Sequence, residues 1–388
     1  MSATDCRTKR SENYKERPNS RRLQQEKHAL NWSDIPYDIV ECILGHLCWT
    51  DRIRMRAVCK AWSVPSRHIP AIDKLPWVLK DFSYRLFDPF TGGHVRGKGR
   101  RRFIAEKLFG RSDGPLDAVP LASEYGWILF RNDLKHDSKV EPPPMLFLYS
   151  PFTTEIIKLP EFKERPMFQV ASFSLNATSP KCVIFLLGLD SSGHKIHVSL
   201  CSPGDDSWRT FEFNSGIGPG EASCARGVVY ANGVFYCLFL QGQLGVFNVE
   251  LEEWSILCGS FPPPSFSVGI NLFMVDADIW VFDDQYYVGL YRFDFSEMRW
   301  VYENKLNNHA LFIGCSSFAV PTVEETSELA NTIVSLDKFF EAVSCYGGTR
   351  EYWSKLHHKC LEATERAITW IQLPLGGIWR AKDLVNAI

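Results

Sequence analysis

The chain lacks most of the features that announce a chemistry. None of its twelve cysteines forms a C-x-x-C pair, which excludes zinc-ribbon and zinc-finger spacings. Thiols scattered through apolar stretches read as small hydrophobes of a reduced, intracellular protein. No apolar run approaches the ~20 residues of a bilayer-spanning helix; the longest, such as Cys182–Leu187, stop far short. The opening residues are polar and charged, unlike the apolar stretch of a secretory leader. Neither charge is in excess: 43 Lys and Arg face 45 Asp and Glu, for a net charge of −2. Such a balance exerts no global pull on nucleic acid or on an anionic membrane, and neither partner is expected.

Catalytic patterns are equally scarce. His357-His358-x-Cys360 offers metal ligands, but no second cluster stands at the spacing of a known site. Gly216-Ile217-Gly218-Pro219-Gly220 lacks the Lys-Ser/Thr and the following helix of a phosphate loop. Asp283-Asp284 follows an apolar run and reads as a strand-end turn. The chain is expected to be non-catalytic, with no metal and no cofactor.

What is present is apolar material, 45% of 388 residues, enough for a small module joined to one large β domain. Residues 1–30 carry eight Lys and Arg against four Asp and Glu with no apolar period, and are expected to be a disordered basic arm. From residue 31 the pattern turns helical. Ile39, Ile43, Leu44 and Leu47 fall on one stripe, and Pro36 stands where a first-turn proline is tolerated. Thr50 and Asp51 can cap a second helix carrying Ile53, Ala57, Val58 and Trp62. Two or three short helices in under 40 residues cannot bury both faces, so the module wants a partner.

Beyond residue 76 the pattern is β. Apolar runs at Tyr125–Phe130, Leu146–Tyr149, Val183–Leu187, Ile196–Leu200, Val228–Leu240 and Phe273–Phe282 alternate with turn formers. Trp208, Trp254 and Trp300 lie 46 residues apart, each six positions after a polar turn residue: Ser202, Asn248 and Asp294. The same frame fits Ser150 with Ile156 and Thr364 with Trp370. A strand–turn–strand unit at this period is the mark of propeller blades, whose seams take a large aromatic at a fixed place. The expectation is an all-β propeller-like domain of six or seven blades after a small all-α module. The last blade should be irregular, because residues 321–345 are acidic and read as partly helical over Val323–Phe340.

The helical module resembles an F-box. Pro36, Ile43-Leu44, Asp51, Arg56, Val58-Cys59 and Trp62 follow that family's skeleton in order and spacing, with Ile35 where leucine is commoner and Cys48-Trp49 in the linker. The remainder is similar to plant F-box proteins with a carboxy-terminal KIB-type β-propeller. Ser123-Glu124-Tyr125-Gly126-Trp127-Ile128-Leu129 and Asn308–Phe318 carry that likeness. The resemblance implies a substrate-recognition subunit of an SCF-type ubiquitin ligase, acting in the cytoplasm or nucleus. Its F-box (residues 31–72) would bind a Skp-type adaptor, and through it a cullin, while the propeller (76–388) holds an unidentified target protein. Adaptor contacts would come from Ile35, Pro36, Ile39, Ile43, Leu44, Leu47, Val58 and Trp62. The alternative is an F-box scaffold that binds adaptor or target without supporting ubiquitination. A propeller enzyme with an incidental helical cap would need converging acidic or histidine side chains.

One basic stretch stands apart. Arg96, Lys98, Arg100, Arg101, Arg102, Lys107 and Arg111 oppose only Glu106, and Gly92, Gly93, Gly97 and Gly99 suggest a flexible loop. Arg96, Lys98, Arg100, Arg101 and Arg102 are candidates for binding an acidic partner, a phosphorylated target or nucleic acid; the other reading is a solvated loop.

Overall fold

Short runs of β-branched and aromatic residues, each closed by Gly, Asn, Asp or Ser, become strands. The protein is described by a computed structural model covering residues 35–45, 75–80, 84, 86–87, 100–133, 142–163, 166–217, 224–258, 270–283, 289–336, 343–346 and 367–372. Helix α1 (Tyr37–Gly45) comes first, followed by β1 (Trp77–Lys80), β2 (Leu86–Phe87) and helix α2 (Arg101–Phe109).

Four antiparallel meanders follow. The first blade holds β3 (Ala118–Glu124), β4 (Trp127–Asn132), β5 (Met145–Tyr149) and β6 (Ile156–Lys158). The second holds β7 (Val170–Phe173), β8 (Ile184–Leu189), β9 (Lys195–Cys201) and β10 (Arg209–Asn214). The third holds β11 (Ala225–Ala231), β12 (Val234–Phe239), β13 (Leu244–Asn248) and β14 (Glu253–Cys258). The fourth holds β15 (Ile270–Val275), β16 (Asp278–Asp283), β17 (Gly289–Asp294) and β18 (Arg299–Glu303).

The fifth blade is irregular. It contains β19 (His309–Ile313), β20 (Phe318–Pro321), β21 (Ile333–Leu336) and β22 (Val343–Tyr346), in the order β20-β19-β21-β22. Its β19 and β21 run parallel, with Leu311 opposite Ile333. Of the helix anticipated over Val323–Phe340, the described residues form only a 3-10 turn, Glu324–Leu329; the β-branched Ile333 and Val334 then return the chain to a strand. The fold is therefore a β-propeller with five four-stranded blades among the described residues, where six or seven are expected from sequence. A sixth sheet has three strands, β2-β1-β23, and pairs β1 with β23 (Ala367–Ile371) from the far end of the chain.

Two apolar runs that read as single strands are hairpins. Asn232 and Gly233 both have positive φ (51° and 85°), so Val228–Leu240 folds back at a two-residue turn of the kind that matches strand twist. Asp276 (φ 54°) begins the turn that splits Phe273–Phe282 in the same way.

No blade buries both faces by itself; the core lies between blades. Six apolar clusters are each shared by two successive sheets. Between the second and third blades, for example, Phe185 stacks on Phe235 with centroids 4.3 Å apart. The spaced tryptophans stand at the start of the outermost strand of a blade, Trp208 just before β10 and Trp254 and Trp300 second in β14 and β18, and each reaches back across a seam. Trp208 Nε1 donates to Pro160 O at 2.7 Å, Trp254 Nε1 to Ser215 O at 3.2 Å, and Trp300 Nε1 to Gly242 O at 2.9 Å. Gly245 makes room for the Trp254 ring, since an added Cβ would lie 2.2 Å from Cη2.

The turn residue six positions earlier also has a physical role. Asn248 Oδ1 accepts from the N–H groups of Glu250 and Leu251 at 3.0 Å each, and Asp294 Oδ1 from those of Ser296 and Glu297 at 2.9 and 3.3 Å. At Ser202 the roles reverse: its N–H donates to Asp205 Oδ2 at 2.7 Å.

Trp370 departs from this frame. It lies on β23, which pairs with β1 and rests against β3, so it occupies an inner strand rather than an outermost one. It is fully buried against Phe312, with centroids 5.1 Å apart.

The seam role sets an expectation for stability. Trp300 is 2% exposed, and Trp300→Ala should cost about 3–5 kcal/mol in denaturant unfolding. Tyr302→Ala, two residues along the same strand at 63% exposure, should cost under about 1 kcal/mol. Equal losses would contradict a seam-specific role.

Candidate adaptor and target interfaces

Helix α1 starts where the sequence places it: the Pro36 carbonyl accepts from the N–H groups of Ile39 and Val40, both at 3.1 Å. Val40 is buried, at 2% exposure, while Ile39 is 51% exposed. Ile35 and Ile43 are half-buried, and Pro36 is exposed. Leu44 falls within the helix; Leu47, Val58 and Trp62 lie outside the described residues. The described part of the stripe thus keeps apolar surface in water, at Ile39 above all.

The basic stretch is corrected in part. Arg96 and Lys98 lie outside the described residues, but Arg101 to Phe109 form helix α2 rather than a flexible loop. Ile104, Ala105 and Leu108 bury one side of it, and Gly110 closes it in the left-handed conformation (φ 73°). Two of the candidate cations serve the scaffold. Arg101 Nη2 donates to Leu116 O at 2.6 Å, and Arg100 lies beside the buried Tyr149 hydroxyl. Burial pushes that phenol up to about 12, against the opposing pull of Arg100. Arg102 remains exposed, and Lys107 stands over the ring of Phe103, itself 37% exposed.

A shallow cleft of about 280 Å³ opens between the first two blades, lined by Arg131, Asp133, Pro144, Met167, Phe168 and Gln169. Arg131 comes from the end of β4, Asp133 and Pro144 from the loop between β4 and β5, and the others from the connection into β7. Arg131 Nη2 pairs with Asp133 Oδ2 at 3.0 Å, and Met167 is 57% exposed. Sequence reading missed this site because its walls come from separated segments with no shared motif.

Glu124, part of the motif Ser123–Leu129, proves unusual. Its carboxylate accepts from Ser172 Oγ at 3.0 Å across the seam between first and second blades. Burial raises its carboxyl from 4.5 to about 7, and the Ser172 hydrogen bond only partly offsets that. Tyr125 donates to Ser174 O at 3.2 Å across the same seam, and the buried Cys182 thiol is pushed up to about 11.

The other chemical candidates do not assemble. Among the described residues no three His, Cys, Asp or Glu side chains are grouped to hold a metal. Residues 357–360 lie outside the described residues, as do Gly218, Pro219, Gly220 and Asp284. Asp283 ends β16 and is buried. No helix among the described residues is long and apolar enough to cross a membrane.

Comparison with known proteins agrees with this layout. A family model described as KIB1-4 beta-propeller matches residues 106–352, and one described as F-box domain matches residues 32–63. An F-box/kelch-repeat protein of Arabidopsis thaliana is 27% identical over 238 residues, covering 60% of this chain and 60% of that protein. An F-box protein of the same plant is 27% identical over 231 residues, covering 59% of this chain and 54% of that protein. The chain thus spans little more than half the length of these curated relatives. Among solved structures, a GH32 beta-fructofuranosidase of Bombyx mori covers 60% of this chain and 62% of its own at 13% identity and a TM-score of 0.33, too low to carry an argument.

The raised carboxyl gives a pH dependence of definite sign. The unfolded chain gives up the Glu124 proton near 4.5 and the folded chain near 7, so its contribution is full below 4.5 and is lost as pH rises through 7. The loss is on the order of 3 kcal/mol at most. Glu124→Gln should raise the urea midpoint at pH 8 and leave it nearly unchanged at pH 4; a lower midpoint at pH 8 would contradict the account.

Proposed function

From the premise that the chain belongs to the KIB1-4 β-propeller family, we propose that it is the substrate-recognition subunit of an SCF-type ubiquitin ligase, in cytoplasm or nucleus. The observation that carries this reading is the F-box match at residues 32–63 joined to a propeller in one chain. A basic arm (1–30) and an F-box (31–72) precede the propeller domain (76–388). The F-box takes a Skp-type adaptor, and through it a cullin. The propeller holds the target, raising its effective concentration near the ubiquitin-charged enzyme. Catalysis belongs to other subunits.

The adaptor surface consists of Ile35, Pro36, Ile39, Ile43 and Leu44 on and before α1, together with Leu47, Val58 and Trp62. Ile39, half-exposed in the isolated chain, supports this assignment. The propeller has six blades, the three-stranded sheet being the sixth. Its support is internal likeness: Leu86-Phe87-Asp88-Pro89-Phe90-Thr91 parallels Leu148-Tyr149-Ser150-Pro151-Phe152-Thr153 without a gap. Both β2 and β5 stand third from the inner strand of their sheets. An acidic segment of the target meets Arg102, with Arg96 and Lys98 nearby in sequence; Arg100 and Arg101 brace α2.

The test is reconstitution with a purified Skp-type adaptor and a cullin. Wild type should hold both. Ile39→Asp should weaken adaptor capture at least tenfold, because a charge is left unpaired in an apolar contact, with propeller unfolding unchanged. Adaptor capture without cullin would favour the scaffold reading, and no capture by folded wild type would overturn both. Arg102→Glu should cut retention on immobilised poly-glutamate at least threefold at low salt; undiminished retention would remove Arg102 from the target surface.

A further inference from the structure

The inner strands of the propeller carry very little charge. Along β3, β7, β11, β15, β20 and β23 the charged residues are Arg226 and Glu124 alone. These strands line the axis, each of β3, β7, β11 and β15 lying against the next, β20 against β15 and β23 against β3.

Arg226 stands in a bulge. The pairing of β11 with β12 shifts register between Ala225 and Gly227, and such a bulge re-aims the extra side chain. Contacts on either side fix its height. The Ala225 N–H donates to Gln169 Oε1 of the second blade at 2.8 Å, and Gly227 lies so close to Leu272 of the fourth that an added Cβ would meet its Cβ at 2.9 Å. Beside Leu272, Asn271 Oδ1 accepts from Ser317 Oγ at 3.2 Å, and the adjoining Ser316 Oγ accepts from the Ser123 N–H at 2.9 Å. Arg226, Asn271, Ser317, Ser316 and Ser123 therefore share one level of the ring.

Two polar atoms at that level are orphans. Arg226 Nε and Ser123 Oγ are both buried without a hydrogen-bond partner, and Ser123 is wholly inaccessible. A buried guanidinium N–H without a hydrogen-bond partner is costly, and orphaned groups of this kind call for an occupant. We propose that Arg226 is the centre of an oxyanion site on the propeller axis, taking the phosphate or carboxylate group of a small molecule, with Ser123 and the Ser316–Ser317 loop as neutral neighbours. The guanidinium fork matches two oxygens of such a group. The carboxylate that would compete, Glu124, is already held by Ser172, and its raised pKa leaves it largely uncharged below neutral pH.

The experiment is thermal unfolding of the full chain titrated with sodium phosphate, and separately with sodium acetate, against sodium chloride at matched ionic strength. The melting temperature of wild type should rise with phosphate, with acetate or with both, beyond the chloride control. A phosphate-only response assigns a phosphate ligand, and an acetate response a carboxylate one. Arg226→Gln should weaken the apparent affinity at least tenfold. If that variant does not fold, Arg226→Lys, which keeps the charge but loses the fork, should show the same loss. No rise in wild type with either anion, or an undiminished response in the folded variant, overturns the site.

Discussion

A four-stranded blade in this protein has two apolar faces and no means of covering either alone. That constraint explains the repeat, the tryptophans and the pairing of distant chain ends. Each seam is filled from both sides by side chains at or near zero exposure, such as Phe185 against Phe235 and Phe312 against Trp370. The tryptophans add direction to an otherwise non-directional contact, because each indole N–H reaches a carbonyl of the preceding blade. An apolar seam tolerates sliding; a fixed donor and acceptor across it set how one blade lies on the next.

The same constraint accounts for the irregular end. After four regular meanders the chain reverses the placement of its next two strands, so that β20 lies innermost although β19 comes first. This brings Gly314–Ser317 to the axis, where Cys315 Sγ lies 2.9 Å from Thr369 Oγ1, Ser316 meets Ser123 and Ser317 meets Asn271. One short loop thus ties the closing sheet, the first blade and the fourth. Gly314 packs closely here: an added Cβ would come within 3.2 Å of Thr369 Oγ1, which would have to give by a few tenths of an ångström. The motif Asn308–Phe318, legible in sequence as a family resemblance, has its physical explanation in that tie.

The all-β character and the seam tryptophans were legible because they rest on local patterns: alternation, turn formers and a 46-residue period. Trp370 was misplaced because a period cannot show which strand of a sheet the chain enters; β23 is fixed by its partner β1, nearly 300 residues away. Helix α2 was hidden by its glycine-rich, arginine-rich approach, and its burial through Ile104 and Leu108 depends on the neighbouring sheet. The cleft beside Arg131 and the Glu124–Ser172 contact depend on the approach of two blades, which no local signal encodes. Of the adaptor stripe, the spacing of Ile39 and Ile43 was readable, but that Val40 and not Ile39 is the buried neighbour required coordinates.

In the proposed function, adaptor and target surfaces are separate in sequence, one on α1 and one on the propeller. A receptor built this way needs a rigid ring to hold its target, and rigidity requires that the two ends of the propeller segment pair. The most direct test is hydrogen exchange on the full chain, comparing amides of β1 and β23 with those of the first blade. Protection of Trp77–Lys80 and Ala367–Ile371 should match that of Ala118–Glu124, with the strands opening together. Exchange of β23 at the rate of an unstructured peptide, while the other blades stay protected, would contradict closure by the chain ends.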